Sequence, residues 1–170
     1  MAKAKEKTRC AWCLKTPIYM EYHDKEWGHP VHDDQKLFEF LVLESFQAGL
    51  SWLTVLNKRE NFRKAFANFD ARKVAKFDKK KVEQLLKDEG IIRNRLKVEA
   101  AINNAKCYLV IQKEFGSFDK YVWSFVKGKP VINKRSSLKD IPPSTPLSDA
   151  MSKDMGKRGF KLRGTTICFA

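Results

Sequence analysis

Long hydrophobic runs are missing from this 170-residue chain. No stretch approaches the roughly 18 consecutive apolar residues that a membrane-spanning helix needs. The start, MAKAKEKTRC, lacks the apolar core of a secretory signal. Cysteine is scarce, with four residues in all. A chain of this length can bury a core without disulfides. A reducing, cytoplasmic setting is therefore expected, in which the cysteines stay free or bind metal. Convincing strand alternation is absent as well, which leaves an all-α fold. Negative charge is also short: 20 Asp and Glu face 34 Lys and Arg, a formal charge of +14.

What is present excludes wholesale disorder, because 43% of the residues are hydrophobic. The length suits a single domain over residues 1–170. The positive charge calls for a polyanionic partner, nucleic acid first and an anionic membrane surface second. It is concentrated in two segments. Lys58 to Lys106 carries 15 basic and 7 acidic side chains, and Lys153 to Arg163 carries 5 and 1. A charge run alone also describes a solvated surface, but the first segment has a further feature that favours DNA.

Helical periodicity runs through most of the chain. Asp34 is a capping candidate for a helix over about 35–48, with Leu37, Phe40, Leu41 and Ala48 on one stripe. Gly49 ends it. Ser51 opens the next helix, which carries Leu53, Leu56, Phe62, Ala65 and Phe66. Asp70 and Asp78 cap two short helices, and Gly90 closes the second in the usual C-terminal glycine role. A long helix over roughly 93–115 follows, then a short one over 118–126. Gly128 to Pro146 holds four prolines and reads as a long surface connection. Ser148 caps a helix ending near Gly159, and Thr165 or Thr166 starts one more. The apolar end, Ile167-Cys168-Phe169-Ala170, looks like an interrupted helix, so a longer natural chain is expected.

Three features carry chemistry. The first is a helix ending at Glu89-Gly90, a tight turn through Ile91-Ile92, and a basic helix with Arg93, Arg95 and Lys97. This is the pattern of a helix-hairpin-helix over about 79–106, which offers backbone N–H groups and a helix N-terminus to a phosphate without reading sequence. An ordinary αα-hairpin fits the same residues. The second is Glu44, on the apolar stripe one turn after Phe40 and Leu41. Burying its carboxylate costs several kcal/mol unless a cation or hydrogen-bond donor meets it. Such a partner is either a ligand or a Lys, and a position at the edge of the stripe would leave the tip in water. The third is an aromatic and polar cluster, Trp12, Tyr19, Tyr22-His23-Asp24 and Trp27, with Trp52 further on. These rings either fill a core or stack on a flat, electron-poor base. Cys10, Cys13 and His23 are possible soft metal ligands, but a C-x2-C without a second pair is a weak signal. His29 and His32, near a proline turn, read as surface residues.

Read together, several blocks resemble the DNA-3-methyladenine glycosylase I family. They are Cys10-x-Trp12, Tyr19-x2-Tyr22-His23-Asp24-x-Glu26-Trp27-Gly28, Leu43-Glu44-x2-Gln47-Ala48-Gly49-Leu50-Ser51-Trp52, Gly90-Ile91-Ile92-Arg93, Trp123-Ser124-Phe125-Val126 and Gly159-Phe160-Lys161. The resemblance runs from about residue 9 to residue 170. It implies an all-α helix-hairpin-helix glycosylase of base-excision repair. Such an enzyme flips 3-methyladenine out of alkylated double-stranded DNA, hydrolyses its glycosidic bond and releases the free base, acting as a monomer. It implies a base pocket holding Glu44 as the catalytic carboxylate, lined by Trp12, Tyr19, Tyr22, Trp27 and Trp52. Leu50, Gly90, Ile91, Arg93 and Arg95 are implied at the DNA, and Cys10 and His23 as two ligands of a structural zinc. The family takes the other two zinc ligands from a segment beyond this chain's last residue. The catalytic Asp common after the hairpin in this superfamily has no counterpart near Asn103-Asn104-Ala105, so catalysis without it is expected. The alternative is a non-catalytic helix-hairpin-helix DNA-binding module.

Overall fold

The structure is a computed structural model that describes residues 9–135 and 137–169. The lysine-rich start, residues 1–8, lies outside them. The described residues hold ten α-helices and no β-strand, as the periodicity predicts. They group into two compact units, and the chain passes from one to the other between Pro30 and Val31.

The N-terminal unit has a 3-10 turn, Ala11–Lys15, and helix α1, Pro17–Lys25. Thr16 caps α1 by accepting the Tyr19 N–H, and Pro17 occupies the first turn, where its missing N–H costs nothing.

The second unit begins with α2, Asp34–Gln47. Its cap is Asp33, which accepts the Lys36 N–H at 2.7 Å, not Asp34 as the sequence suggests. Asp34 is drawn away by a tertiary partner. Its carboxylate accepts the backbone N–H groups of Phe118 and Asp119, at 3.0 and 2.8 Å, and the Gln112 amide at 2.6 Å. One side chain on α2 thus caps the helix Phe118–Ser124, α8 in chain order, 84 residues on. The helix expected from Ser51 onward is two: α3, Trp52–Leu56, and α4, Arg59–Ala65. The break falls at Lys58, whose ammonium donates to the Glu89 carbonyl at 2.9 Å.

Helices α5, Ala71–Val74, and α6, Lys79–Lys87, start at Asp70 and Asp78 as expected. The long helix α7 spans Arg95–Phe115, with Asn94 as its cap and Gly116 at φ +86° as its stop. Helices α6 and α7 form the expected hairpin. Thr145 caps α9, Pro146–Lys157, while the predicted cap, Ser148, sits three residues inside and completes a reciprocal capping box. Thr165 opens α10, Thr165–Phe169.

Aromatic contacts organise the core of this unit. Phe46 meets Phe62 edge-on at 4.8 Å, Phe62 stacks on Phe66 at 5.8 Å, and Tyr108 stacks on Phe118 at 4.2 Å. All five are essentially inaccessible. Burying each stabilises the fold by about 1.5–3 kcal/mol. The same packing fixes the rotation of α2 and so decides which way its polar residues face.

Candidate functional site

In the N-terminal unit, Tyr19, Tyr22 and His23 share a face of α1, because residues three and four apart are neighbours on a helix. Trp12, from the preceding 3-10 turn, lies at the centre of the cluster. Its ring is 4.7 Å from Tyr19 and 5.3 Å from Trp27, edge-on to both, and 6.4 Å from Tyr22. His23 stacks on Trp27 at 5.4 Å. The four aromatics expected here from the sequence are therefore one cluster. Tyr22 is nearly buried, Trp12 and Tyr19 are half-buried, and Trp27 is exposed. Burial is the first cause that raises the Tyr19 pKa, so its hydroxyl keeps its proton.

His23 is held at both ring nitrogens. Nδ1 lies 3.1 Å from Asp24 Oδ1, and Nε2 accepts the Cys10 N–H at 3.4 Å. Asp24 is fixed in turn by Arg9 at 2.8 Å. Cys13, the spare cysteine of the C-x2-C, is buried and points its thiol at the Cys10 carbonyl, 3.0 Å away. No group of three or more possible metal ligands occurs among the described residues. Cys10 and His23 lie close through the Cys10 N–H, yet they are two donors short of the four that a structural zinc needs. The described residues therefore do not complete such a site.

Helix α2 buries two glutamates with opposite fates. Glu39 is 5% exposed, and its carboxylate meets Arg59 at 2.7 Å, Arg63 at 2.9 Å and Lys36 at 3.3 Å. Burial pushes its pKa up, but these cations outweigh that and hold it below the ordinary carboxylate range. Glu44 is 8% exposed. No hydrogen bond or ion pair joins its carboxylate to a described residue, and burial alone pushes its pKa up to about 7. A buried carboxylate without a compensating donor is costly to ionise. It is suited to meet a cation or an amino group arriving from outside.

After α2 the chain turns sharply. Gly49 takes φ +79°, a left-handed conformation that strains any residue with a Cβ. Leu50, with its N–H on the Gln47 carbonyl at 2.6 Å, is presented to solvent at 41% exposure. Ser51 caps α3, and Trp52 is buried at its start.

At the hairpin, Gly90 has no positive φ, so the expected glycine-cap role does not hold. It is needed for space: a Cβ there would come within 2.9 Å of Asp88 Oδ1 and 3.1 Å of Asn61. Ile91 is buried and anchors the turn. None of the hydrogen bonds within the described residues uses the N–H groups of Ile92, Arg93, Arg95 or Leu96. The N–H groups of Asn94 and Lys97 between and after them are engaged, and free amides at a helix N-terminus can donate to an anion such as phosphate. Arg93 is exposed, with only a loose contact to Glu89 at 3.5 Å. Arg95 differs, since Glu83 at 2.7 Å and Glu99 at 3.7 Å already hold its guanidinium.

Sequence reasoning missed the tertiary partners of three polar side chains here, Lys97 of the basic helix among them. Asn104 is buried and closes two bonds of 2.8 Å with the backbone of Lys161. Ser45, next to Glu44, lies 3.1 Å from the Leu162 carbonyl. Lys97 reaches the end of α2, at the carbonyls of Phe46 and Ala48. Their partners are about 50 to 120 residues away in the chain, beyond any local pattern.

Comparison with known proteins bears on this arrangement. The sequence profile of the methyladenine glycosylase family matches residues 12–170. The DNA-3-methyladenine glycosylase 1 of Escherichia coli (strain K12) is 51% identical over 162 residues, which cover 95% of this chain and 87% of that protein. The DNA-3-methyladenine glycosylase of Haemophilus influenzae is 48% identical over 163 residues, covering 96% and 88%. A solved structure of 3-methyladenine DNA glycosylase I from Staphylococcus aureus, reported for its recognition of 3-methyladenine, has a TM-score of 0.91 at 40% identity. That match covers 94% of this chain and 85% of the other.

Proposed function

The chain belongs to the methyladenine glycosylase family, and from that premise we propose how its residues act on alkylated DNA. It is a DNA-repair glycosylase that hydrolyses the N-glycosidic bond of 3-methyladenine. Methylation at N3 leaves the nucleoside positively charged. When the bond from the base to the sugar C1′ breaks, the electron pair goes to the base, which leaves neutral. Water supplies the oxygen that C1′ gains and loses a proton. The leaving group is already activated, so no strong general acid is required, and selectivity can rest on binding.

The observation that carries this reading is Glu44, buried at 8% exposure with no partner among the described residues. Its carboxylate compensates the charge of the base and accepts a hydrogen bond from the exocyclic amine. Trp12, Tyr19, Tyr22 and Trp27 offer electron-rich faces, which prefer the cation by about 0.5–2 kcal/mol each. Flipping the base costs roughly a few kcal/mol, less for a damaged and poorly stacked one. The amides after Ile91, with Arg93, take the phosphates, and Leu50 is the side chain presented to the gap. A non-catalytic DNA-binding module would account for the hairpin but has no use for a buried carboxylate that no described residue meets. The enzyme acts as a monomer in the cytoplasm in this reading. No helix among the described residues is long and apolar enough to cross a membrane. A structural zinc would need two ligands besides Cys10 and His23, and every step above uses this chain's own residues.

Titration with free 3-methyladenine tests the carboxylate. Glu44→Gln keeps the shape and loses the charge-assisted part of the bond, about 1.5–3 kcal/mol. Affinity should fall by roughly one to two decades, with the melting temperature unchanged or raised. Unchanged affinity with a lowered melting temperature would return Glu44 to the core.

A further inference from the structure

Lys97 stands in the first turn of α7, beside the open amides of the hairpin. An ammonium there opposes the dipole of its own helix, so a lysine at this position would be expected to reach outward for phosphate. Instead it is half-buried and points back to α2, where it donates to the Phe46 carbonyl at 2.8 Å and the Ala48 carbonyl at 2.6 Å. Those are C-terminal carbonyls that a helix leaves without intrahelical partners, at the end where the dipole favours a cation. Its backbone N–H is held by Asn94 Oδ1 at 3.1 Å. One residue therefore joins the phosphate-facing end of α7 to the end of the helix that carries Glu44. The turn that follows, Gln47 to Leu50, has one backbone bond of its own, from the Leu50 N–H to the Gln47 carbonyl. It presents Leu50 at 41% exposure.

We propose that Lys97 is a positioning residue: it ties the hairpin to the Gln47–Leu50 turn, so that phosphate captured by the hairpin amides sets Leu50 at a fixed depth in the duplex. This rests on the excision reading above, in which Leu50 meets the gap left by the flipped base. Lys97 touches neither base nor phosphate in this role. Its donors are engaged by carbonyls, and burial lowers its pKa. Two carbonyl acceptors still favour the ammonium that the tie requires.

A double-mutant cycle under single-turnover conditions tests the proposal. It measures release of 3-methyladenine from methylated duplex by wild type, Lys97→Met, Leu50→Ala and the double variant. Lys97→Met should slow release by about tenfold or more, with free 3-methyladenine bound as in wild type to within about twofold. Lys97→Arg, which can still span both carbonyls, should recover most of the rate. If Lys97 acts through the turn, adding Lys97→Met to Leu50→Ala should slow release by no more than about twofold further. If Lys97→Met does not fold, Lys97→Gln, too short to span both carbonyls, takes its place. Effects that multiply, an equal loss of free-base affinity, or an unchanged rate would each overturn the proposal. A folded wild type that releases no base would instead fall on the excision reading itself.

Discussion

Glu39 and Glu44 lie five positions apart on one helix, are similarly buried, and do opposite things. The difference is the company each keeps. Glu39 has three cations, and Glu44 has burial alone. With a folded pKa of about 7 against an ordinary 4.5, Glu44 binds a proton more tightly in the folded state than in the unfolded one. The native state is favoured by that proton below about pH 4.5, and the advantage is lost as pH rises through 7. The loss amounts to about 3 kcal/mol. Thermal melts of Glu44→Gln across this range should show a flatter profile than wild type and higher stability above pH 7. Parallel profiles would mean that Glu44 is ionised and paired. The apolar stripe made Glu44 legible in the sequence. That no described residue meets it was not legible, because the arginine pairs that satisfy Glu39 span 20 and 24 residues of chain.

Among the elements, the hairpin was readable and its details were not. Basic residues just past a helix turn suggested phosphate contacts by both Arg93 and Arg95. Both side chains are exposed, but the fold sets their partners apart: Arg93 meets one carboxylate loosely, at 3.5 Å, while Arg95 lies between Glu83 at 2.7 Å and Glu99 at 3.7 Å. Removing one cation that neutralises a phosphate should lower the slope of log affinity against log salt by about 0.9. Arg93→Ala should therefore flatten the slope by about that much on every DNA sequence alike, and Arg95→Ala by much less. Equal effects in a salt titration would show that Arg95 leaves its glutamates for DNA. Capping followed the same pattern. Asp70 and Asp78 cap where local chemistry puts them, whereas Asp34 is taken by α8 and leaves the cap to Asp33. For α2 the local rule places the start to within a residue, and long-range hydrogen bonds decide which of two adjacent carboxylates caps it. Gly90 was readable as a necessary glycine for the wrong reason, since the constraint comes from Asp88 beside it and Asn61 on α4.

For the whole molecule, the charge of +14 overstates what is free to hold DNA. Lys58 and Lys97 cap carbonyls, Arg59 and Arg63 neutralise Glu39, and Arg158 is held by Glu114 and Asp154 at 2.7 Å each. The basic segment from Lys153 to Arg163 thus has Arg158 engaged inside the protein, although composition alone presented it as an interaction surface. The remaining excess still steers the enzyme to a polyanion. The all-helical fold, the hairpin and the aromatic cluster of the N-terminal unit followed from periodicity and motif. Contacts between distant helices did not, because nothing local in a sequence records them. The buried Glu44, the hairpin and the charge each fit excision of a cationic base. Chromatography of the bases released from methylated duplex DNA, with no metal or nucleotide added, reads that reaction itself. 3-Methyladenine should appear well above its spontaneous rate, with the abasic site left uncut and a large loss of that rate in Glu44→Gln. Folded wild-type protein that releases no more 3-methyladenine than the buffer control would contradict the excision reading.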